Sequence, residues 1–152
     1  MKANEEAFFR VKNEDFFVLV KQRLELGERV RIPIVGRSME PFLRERDEVL
    51  LQRTALEELR IGDVVLGRWQ GAYVLHRLVR KTGDTLWLAG DNNLVQLEEI
   101  AAADLLALVI EARRKEKILP LSRAWNKKLG MLWYRLRFPR RVLVSLKRRI
   151  SK

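Results

Sequence analysis

The chain contains no cysteine and a single histidine, His76, and these two scarcities exclude several kinds of site. Without cysteine there can be no disulfide, no thiolate nucleophile and no cysteine-bound zinc. One histidine is too few for a histidine-rich metal centre. These scarcities therefore exclude metal sites built from cysteine or from several histidines.

Long apolar runs are also missing. No uncharged apolar run approaches the ~18 residues that a bilayer-spanning helix needs, so we do not expect an integral membrane protein. The N-terminal stretch MKANEEAFFRVKNED carries acids and has no apolar segment typical of a secretory signal peptide. The sequence therefore favours a cytoplasmic location. Apolar residues make up 47% of the 152 residues and charged residues 34%, which is enough for one packed domain, or one domain with a tail.

The net charge of +11 is distributed unevenly along the chain. Residues 113–152 contain 15 lysines and arginines and one acid, Glu116, whereas residues 1–112 are mildly acidic. The basicity is therefore a property of the last forty residues. This division predicts two parts with different roles.

The first 27 residues form a predicted helical segment. Asn13 can cap a helix over the sequence EDFFVLVKQRLEL, and Gly27 can end it. Four apolar residues fall on one face of this helix. They are Phe16, Phe17, Val20 and Leu24.

Residues 28–112 form a predicted β-rich core. Val30, Ile32 and Ile34 alternate with more polar residues, and Pro33 suggests an edge strand. Residues 105–112 fit either a buried strand or a helix. Further strands are predicted over 48–53, 63–69, 72–80 and 85–89, with hairpin turns at Gln70-Gly71 and Thr82-Gly83-Asp84.

Residues 113–152 form a predicted basic, amphipathic, helical tail. Pro139 is expected to break it into two helices. The first apolar stripe consists of Trp125, Leu129, Leu132, Trp133 and Leu136, and the second of Val142, Leu143, Leu146 and Ile150.

Three short motifs in the core contain residues capable of chemistry. The hexapeptide GRSMEP (36–41) follows a strand, and it could present Ser38 on a bend with free backbone N–H groups, as a nucleophile requires, or simply form a turn. The sole histidine lies in the apolar run VLHRLV, where it could be a general base or a structural residue. The motif GDNN (90–93) is typical of a turn, although its Asp91 could also orient a histidine ring.

Taken in order, the segments GRSMEPFLRERDEVLL, IGDVVLGRW, VLHRLV and AGDNN resemble the signal peptidase family. This family shares the peptidase S24/S26 clan with the self-cleaving repressor proteases, and the resemblance spans about residues 30–109. The bacterial signal peptidases use a lysine as the general base, whereas the endoplasmic-reticulum and archaeal type uses a histidine. Because His76 stands at that point, the chain resembles the histidine branch. The resemblance implies a mainly β, coiled-sheet core.

The resemblance also implies a role for each matching residue. Ser38 would be the nucleophile, His76 the general base, and Asp91 the acid that orients His76. The Ser38 N–H would contribute to the oxyanion site. In the reticulum type a further acid follows the GDNN motif closely, but here four residues separate that motif from Glu98, which leaves the role to Asp91. The supporting residues of the bend would be Gly36, Met39 and Pro41.

The resemblance implies a serine endopeptidase that works without a metal or cofactor and cleaves a leader or signal-like segment of a peptide or protein. Two alternatives are a non-catalytic binding or scaffold protein with the same fold, and a self-cleaving regulator of the repressor-protease type. For the tail, residues 121–150 suit an anionic membrane surface, which would make the protein peripheral on the inner membrane face. The tail could instead pack back onto the core, or bind nucleic acid.

Overall fold

A curled antiparallel sheet forms the centre of the molecule, with one helix before it and two helices after it. A computed structural model describes residues 2–121 and 124–150. The helices are α1 (Lys2–Glu25), α2 (Ala124–Arg135) and α3 (Arg137–Ile150), and short 3₁₀ turns cover Leu56–Glu58 and Ala102–Asp104. The strands are β1 (Val30–Pro33), β2 (Glu48–Gln52), β3 (Val64–Trp69), β4 (Ala72–Thr82), β5 (Thr85–Ala89), β6 (Glu98–Ala101), β7 (Leu105–Arg114) and β8 (Lys117–Leu119). The expected mainly β fold is confirmed.

The strands follow the order β1-β2-β7-β3-β4-β5-β6, and β8 pairs with the end of β7. β1 lies at one edge, as the proline at position 33 predicts. The segment 105–112, which the sequence leaves open between strand and helix, lies within β7 between β2 and β3. β7 therefore joins the first strands of the core to the meander β3-β4-β5-β6.

Two tight hairpins set the register of that meander. Gln70 and Gly71 both have positive φ (48° and 78°), the conformation of a type I′ turn, and Trp69 pairs with Ala72 across it. Gly83 (φ 54°) occupies the second turn, at the end of β4. Both predicted turns are confirmed, and they bring β3, β4 and β5 into contact.

Helix α1 differs from the sequence prediction at its start but not at its end. It begins at Lys2, so Asn13 lies within the helix and does not cap it. At the other end Gly27 has φ +80°, its N–H bonds to the Leu24 carbonyl (3.0 Å), and the Glu28 N–H bonds to the Arg23 carbonyl (3.1 Å). This is the Schellman arrangement, for which glycine is favoured because it has no Cβ.

The predicted apolar face of α1 is buried over most of its length. Val20 and Leu24 are in the core, and Phe17 stacks on Tyr73 of β4, whereas Phe16 is 41% exposed. The core has two parts, one between α1, β1, β2, β3 and β7, the other between β3, β4, β5 and β6. The second part includes Val65, Leu78, Leu86, Leu88 and Ile100.

The helical tail begins later than residue 113. Arg113 and Arg114 continue β7, where they pair with β8, so the sheet extends to Leu119 before α2 starts. Pro139 is the third residue of α3, where its missing N–H is tolerated, and the break between the helices falls at Leu136. The side chains of Trp125 and Ile150, assigned to the two stripes, lie outside the described residues. No helix among the described residues is long and apolar enough to span a bilayer.

Candidate active site

Ser38 and His76 come together although they are distant in sequence. Ser38 lies on the exposed loop after β1, and His76 is a largely buried residue of β4. The His76 Nε2 atom is 3.1 Å from the Ser38 Oγ atom. This is the separation at which an imidazole can accept the proton of a serine hydroxyl.

The other ring nitrogen of His76 contacts a buried carboxylate. Its Nδ1 atom is 2.7 Å from the Oε2 atom of Glu98, which is fully buried at the start of β6. The Gln96 side chain donates to the other Glu98 oxygen (3.1 Å). An ionised carboxylate only accepts hydrogen bonds, so pairing with ionised Glu98 places a proton on Nδ1 and leaves Nε2 as an acceptor for the serine hydroxyl.

The contact expected between Asp91 and His76 is not formed, since Glu98 occupies that position. The register of the sheet explains why. His76 and Leu78 lie on the same face of β4, Leu78 pairs with Leu88 of β5, and Leu88 pairs with Glu98 of β6. Paired residues share a face, so His76 and Glu98 point to the same side.

Asp91 belongs to the opposite face. Arg77, the residue after His76, pairs with Ala89 of β5, and Asp91 follows two positions later. The Arg77 guanidinium donates to both Asp91 carboxylate oxygens (2.7 Å each) and to the Gly62 carbonyl (2.7 Å). Because successive residues of a strand point to opposite faces, Asp91 lies on the face of Arg77 and not on that of His76.

The Arg77–Asp91 pair is almost completely buried. Burial raises the pKa of the Asp91 carboxyl, and the hydrogen bonds and positive charge of Arg77 oppose that rise. The guanidinium also lies over the Phe42 ring, 5.1 Å from its centroid. The Arg77 guanidinium is thus a buried cation that contacts the Asp91 carboxylate, the Gly62 carbonyl and the Phe42 ring.

The GDNN motif holds the nucleophile loop in place. The Asn92 N–H bonds to the Ser38 carbonyl (2.9 Å), and the Asn92 side chain donates to the Arg37 carbonyl (3.1 Å). A Cβ atom on Gly90 would lie 2.7 Å from the Ser38 carbonyl oxygen and 3.2 Å from His76 Nε2. Glycine is needed here because the loop passes directly beside the serine and the histidine.

The remaining predicted site residues shape the nucleophile loop. Gly36 has φ +82°, a conformation that favours glycine, while the Met39 side chain is buried and Pro41 is exposed. Among the described residues no acceptor is found for the Ser38 N–H. That N–H is therefore available to an oxygen of a substrate bound at Ser38.

Helix α2 packs against the Arg77–Asp91 pair, so this part of the tail lies on the core, which is one of the alternatives that the sequence left open. Gly130 lies directly on the guanidinium, where a Cβ would be 2.3 Å from Arg77 Cζ. The Trp133 indole N–H donates to the Asp91 carbonyl (2.8 Å), and Lys127 forms an ion pair with the buried Asp63. The sequence marks Gly90, Glu98 and Trp133, but it gives no local signal for the roles that they have here, because these depend on which strands and helices meet.

The site contains the parts of a serine-type acyl-transfer centre: a hydroxyl, a base, a buried acid and a free N–H. In residues 2–121 and 124–150 no cluster of three or more histidine, aspartate and glutamate side chains is arranged to hold a metal ion.

A comparison with protein families matches residues 3–110 to a family described as Peptidase S24-like. The match covers more than half of the chain and includes Ser38, His76 and Glu98. A search of the curated proteins finds no match to the chain.

Proposed function

The chain belongs to the Peptidase S24-like family, and from that premise we propose that it is a serine endopeptidase acting through Ser38, His76 and Glu98. The observation that carries the proposal is the line of two contacts, Ser38 Oγ to His76 Nε2 and His76 Nδ1 to Glu98 Oε2. Along this line the nucleophile is exposed, the base is mostly buried and the acid is fully buried.

In the proposed reaction the Ser38 oxygen attacks the scissile carbonyl carbon while His76 Nε2 takes the hydroxyl proton. The tetrahedral intermediate then collapses, the C–N bond breaks, and His76 gives its proton to the leaving amine. A water molecule, activated by the same nitrogen, hydrolyses the acyl-serine. Glu98 holds the Nδ1–H tautomer and stabilises the imidazolium that forms in each half of the reaction.

The developing oxyanion requires donors at the nucleophile loop. The free Ser38 N–H is one such donor, and loss of a single donor of this kind costs roughly 10²–10³-fold in rate. Gly90 and Asn92 fix the loop that carries this N–H, so they are positioning residues in the proposal.

For the substrate, we propose a leader or signal-like segment of a peptide or protein. The motifs around Ser38 and His76 resemble those of the histidine-type signal peptidases, and an exposed serine is accessible to an extended peptide. The same constellation also suits cleavage of the chain itself, as in the repressor proteases, so the test separates the two cases.

The test incubates the purified chain with a peptide library and identifies new termini by mass spectrometry. We expect the wild type to generate new termini, and Ser38→Ala and His76→Ala to generate none. Ser145→Ala is the matched control, because Ser145 is an exposed serine on α3 whose hydroxyl donates to the Arg141 carbonyl one helical turn earlier. It should cleave as the wild type does.

Dilution of the protein distinguishes cleavage of another molecule from self-cleavage. Fragmentation of the chain itself at a rate independent of concentration, lost in Ser38→Ala, would assign a self-cleaving regulator. A folded wild type that cleaves neither peptides nor itself would contradict the proposal and leave a non-catalytic protein of the same fold.

A further inference from the structure

Helix α3 carries a second surface that the peptidase site does not use. We propose that the exposed apolar face of α3, formed by Phe138, Val142, Leu143 and Leu146, binds the surface of an anionic lipid bilayer. The proposal concerns binding and not catalysis, so it stands or falls independently of the reaction at Ser38.

The four side chains of the apolar face are all exposed to solvent. Phe138 is 71% exposed, Leu143 64%, Leu146 48% and Val142 44%. At 100° per residue these four positions fall within one side of the helix. No other part of the described chain covers them, so this side needs an apolar medium to bury it.

The charges of α3 complement an anionic surface. The helix contains six basic residues and no acid, and α2 before it contains three basic residues and no acid. Arg141, Lys147 and Arg148 fall outside the apolar face, where a helix lying in the interface presents its cations to lipid headgroups. Each such cation strengthens the attraction to an anionic surface.

The inner side of α3 is attached to the peptidase core. Arg140 stacks over the Trp133 ring (4.0 Å to its centroid) and lies 3.4 Å from the Asp91 carbonyl oxygen. Burial lowers the pKa of this guanidinium, while the Asp91 charge opposes that fall. The apolar face therefore belongs to a helix that is already oriented by the loop holding Ser38.

Two other occupants fit this surface less well. A second copy would bring two acid-free helices together, so their like charges would repel. A nucleic acid would neutralise the cations but leave Phe138 and Leu143 in water, because phosphate contacts bury no apolar side chain of this kind. An anionic bilayer would bury the apolar face of α3 and also attract its cations.

The test is sedimentation with phosphatidylcholine vesicles, with and without phosphatidylglycerol, at low and high salt. It uses the Ser38→Ala chain, so that neither proteolysis nor its failure affects the result. We expect binding only to the phosphatidylglycerol vesicles, weakened by salt because screening reduces the attraction of the cations. Leu143→Glu and Leu146→Glu should each weaken binding about tenfold or more, since each removes an exposed apolar side chain that the bilayer would bury.

Ile118→Glu is the matched control, because Ile118 is an apolar residue of β8 that is 57% exposed but lies off the helix. It should bind as the parent chain does. Absence of binding to anionic vesicles, or equal loss in Ile118→Glu and Leu143→Glu, would overturn the proposal. Concentration-dependent self-association that is abolished by Leu143→Glu would assign the face to a second copy. Salt-sensitive binding to DNA or RNA, without binding to vesicles, would assign it to nucleic acid. Either result also overturns it.

Discussion

Two buried acid–base pairs lie side by side on β4, and they differ in what each base can do. His76 pairs with Glu98 on one face of the sheet, and the next residue, Arg77, pairs with Asp91 on the other. Both pairs have contacts of 2.7 Å, and both acids are buried. An imidazole gains and loses a proton near neutral pH, whereas a guanidinium stays charged.

The surroundings match this chemical difference. The free side of His76 faces the exposed Ser38, so a proton can pass between a nucleophile and the pair. The free side of Arg77 is closed by the Gly62 carbonyl and by Gly130 of α2. In the proposed function, neighbouring residues of one strand separate a reactive pair, His76 and Glu98, from a structural pair, Arg77 and Asp91, and the predictions below test that separation.

Glu98→Gln should give the largest effect, on activity. A neutral amide can hold the imidazole but cannot stabilise the imidazolium, so cleavage should slow by roughly 10⁴-fold. The free energy of unfolding should change much less, because the amide has the same shape as the carboxylate. Both quantities are measured on one preparation, by cleavage rate and by denaturant titration.

Asp91→Asn is the matched substitution in the other pair, and it should give the reverse result. It replaces a buried carboxylate beside Arg77 with an amide, so stability should fall while activity stays far above that of Glu98→Gln. Equal loss of activity in the two variants would mean that the two pairs act as one unit.

Arg77→Ala should give the largest loss of stability. It leaves the buried Asp91 carboxylate without its cation, a change that costs about 3–5 kcal/mol in the free energy of unfolding. The double substitution Arg77→Met with Asp91→Leu removes both charges and should regain most of that loss, because well-packed apolar residues can replace a buried ion pair. Denaturant midpoints and slopes measure both variants.

A double variant as unstable as Arg77→Ala would show that the bonds to Gly62 and the packing over Phe42, and not the charge balance, set the stability. Arg53→Ala provides the control for arginine removal in general, because Arg53 follows β2 outside this pair. Its effect should lie within about 0.5 kcal/mol of the wild type, as for most surface substitutions.

Much of the fold could be predicted because its signals are local. Alternating apolar residues predict β1 to β5 to within a few residues, and the turn at Gln70-Gly71 follows from the left-handed conformation that such dipeptides adopt. β6 and β8 could not be predicted in this way, because their sequences, EEIA and KIL, do not alternate apolar and polar residues. The predicted cap at Asn13 was wrong because the helix continues through it to Lys2.

The site could be predicted only as far as motifs and resemblance extend. Ser38 and His76 stand in recognisable motifs, and the structure places them in contact. The choice between Asp91 and Glu98 depends on which face each acid occupies. That is a consequence of the pairing of β4, β5 and β6, and local sequence does not encode it.

Gly130→Ala tests whether α2 requires close approach to the structural pair. Alanine is normally about 1 kcal/mol better than glycine within a helix. Here the added methyl group would overlap a guanidinium that three hydrogen bonds hold in place, so we expect a net loss of roughly 1–3 kcal/mol in the free energy of unfolding.

The same substitution in the Arg77→Met, Asp91→Leu background serves as the control. Without the guanidinium the overlap is relieved by a flexible side chain, and the intrinsic preference for alanine should make Gly130→Ala neutral or stabilising. An unchanged loss in that background would mean that the backbone around Gly130, and not Arg77, limits the space.

Trp133→Phe should give the smallest effect and tests the link between the tail and the Asp91 loop. It keeps an aromatic ring beside Arg140 but removes the N–H that bonds to the Asp91 carbonyl, so about 1 kcal/mol of stability should be lost. Trp87→Phe is the matched control, because Trp87 of β5 also stacks with an arginine, Arg80, but within the described residues its indole forms no hydrogen bond to the Asp91 loop. The two variants are compared by denaturant titration and by hydrogen exchange of the Asn92 N–H.

Faster exchange in Trp133→Phe alone would show that the tail stabilises the loop that holds Ser38, since that N–H bonds to the Ser38 carbonyl. Equal exchange in both would confine the role of Trp133 to packing and leave the reactive pair independent of the tail.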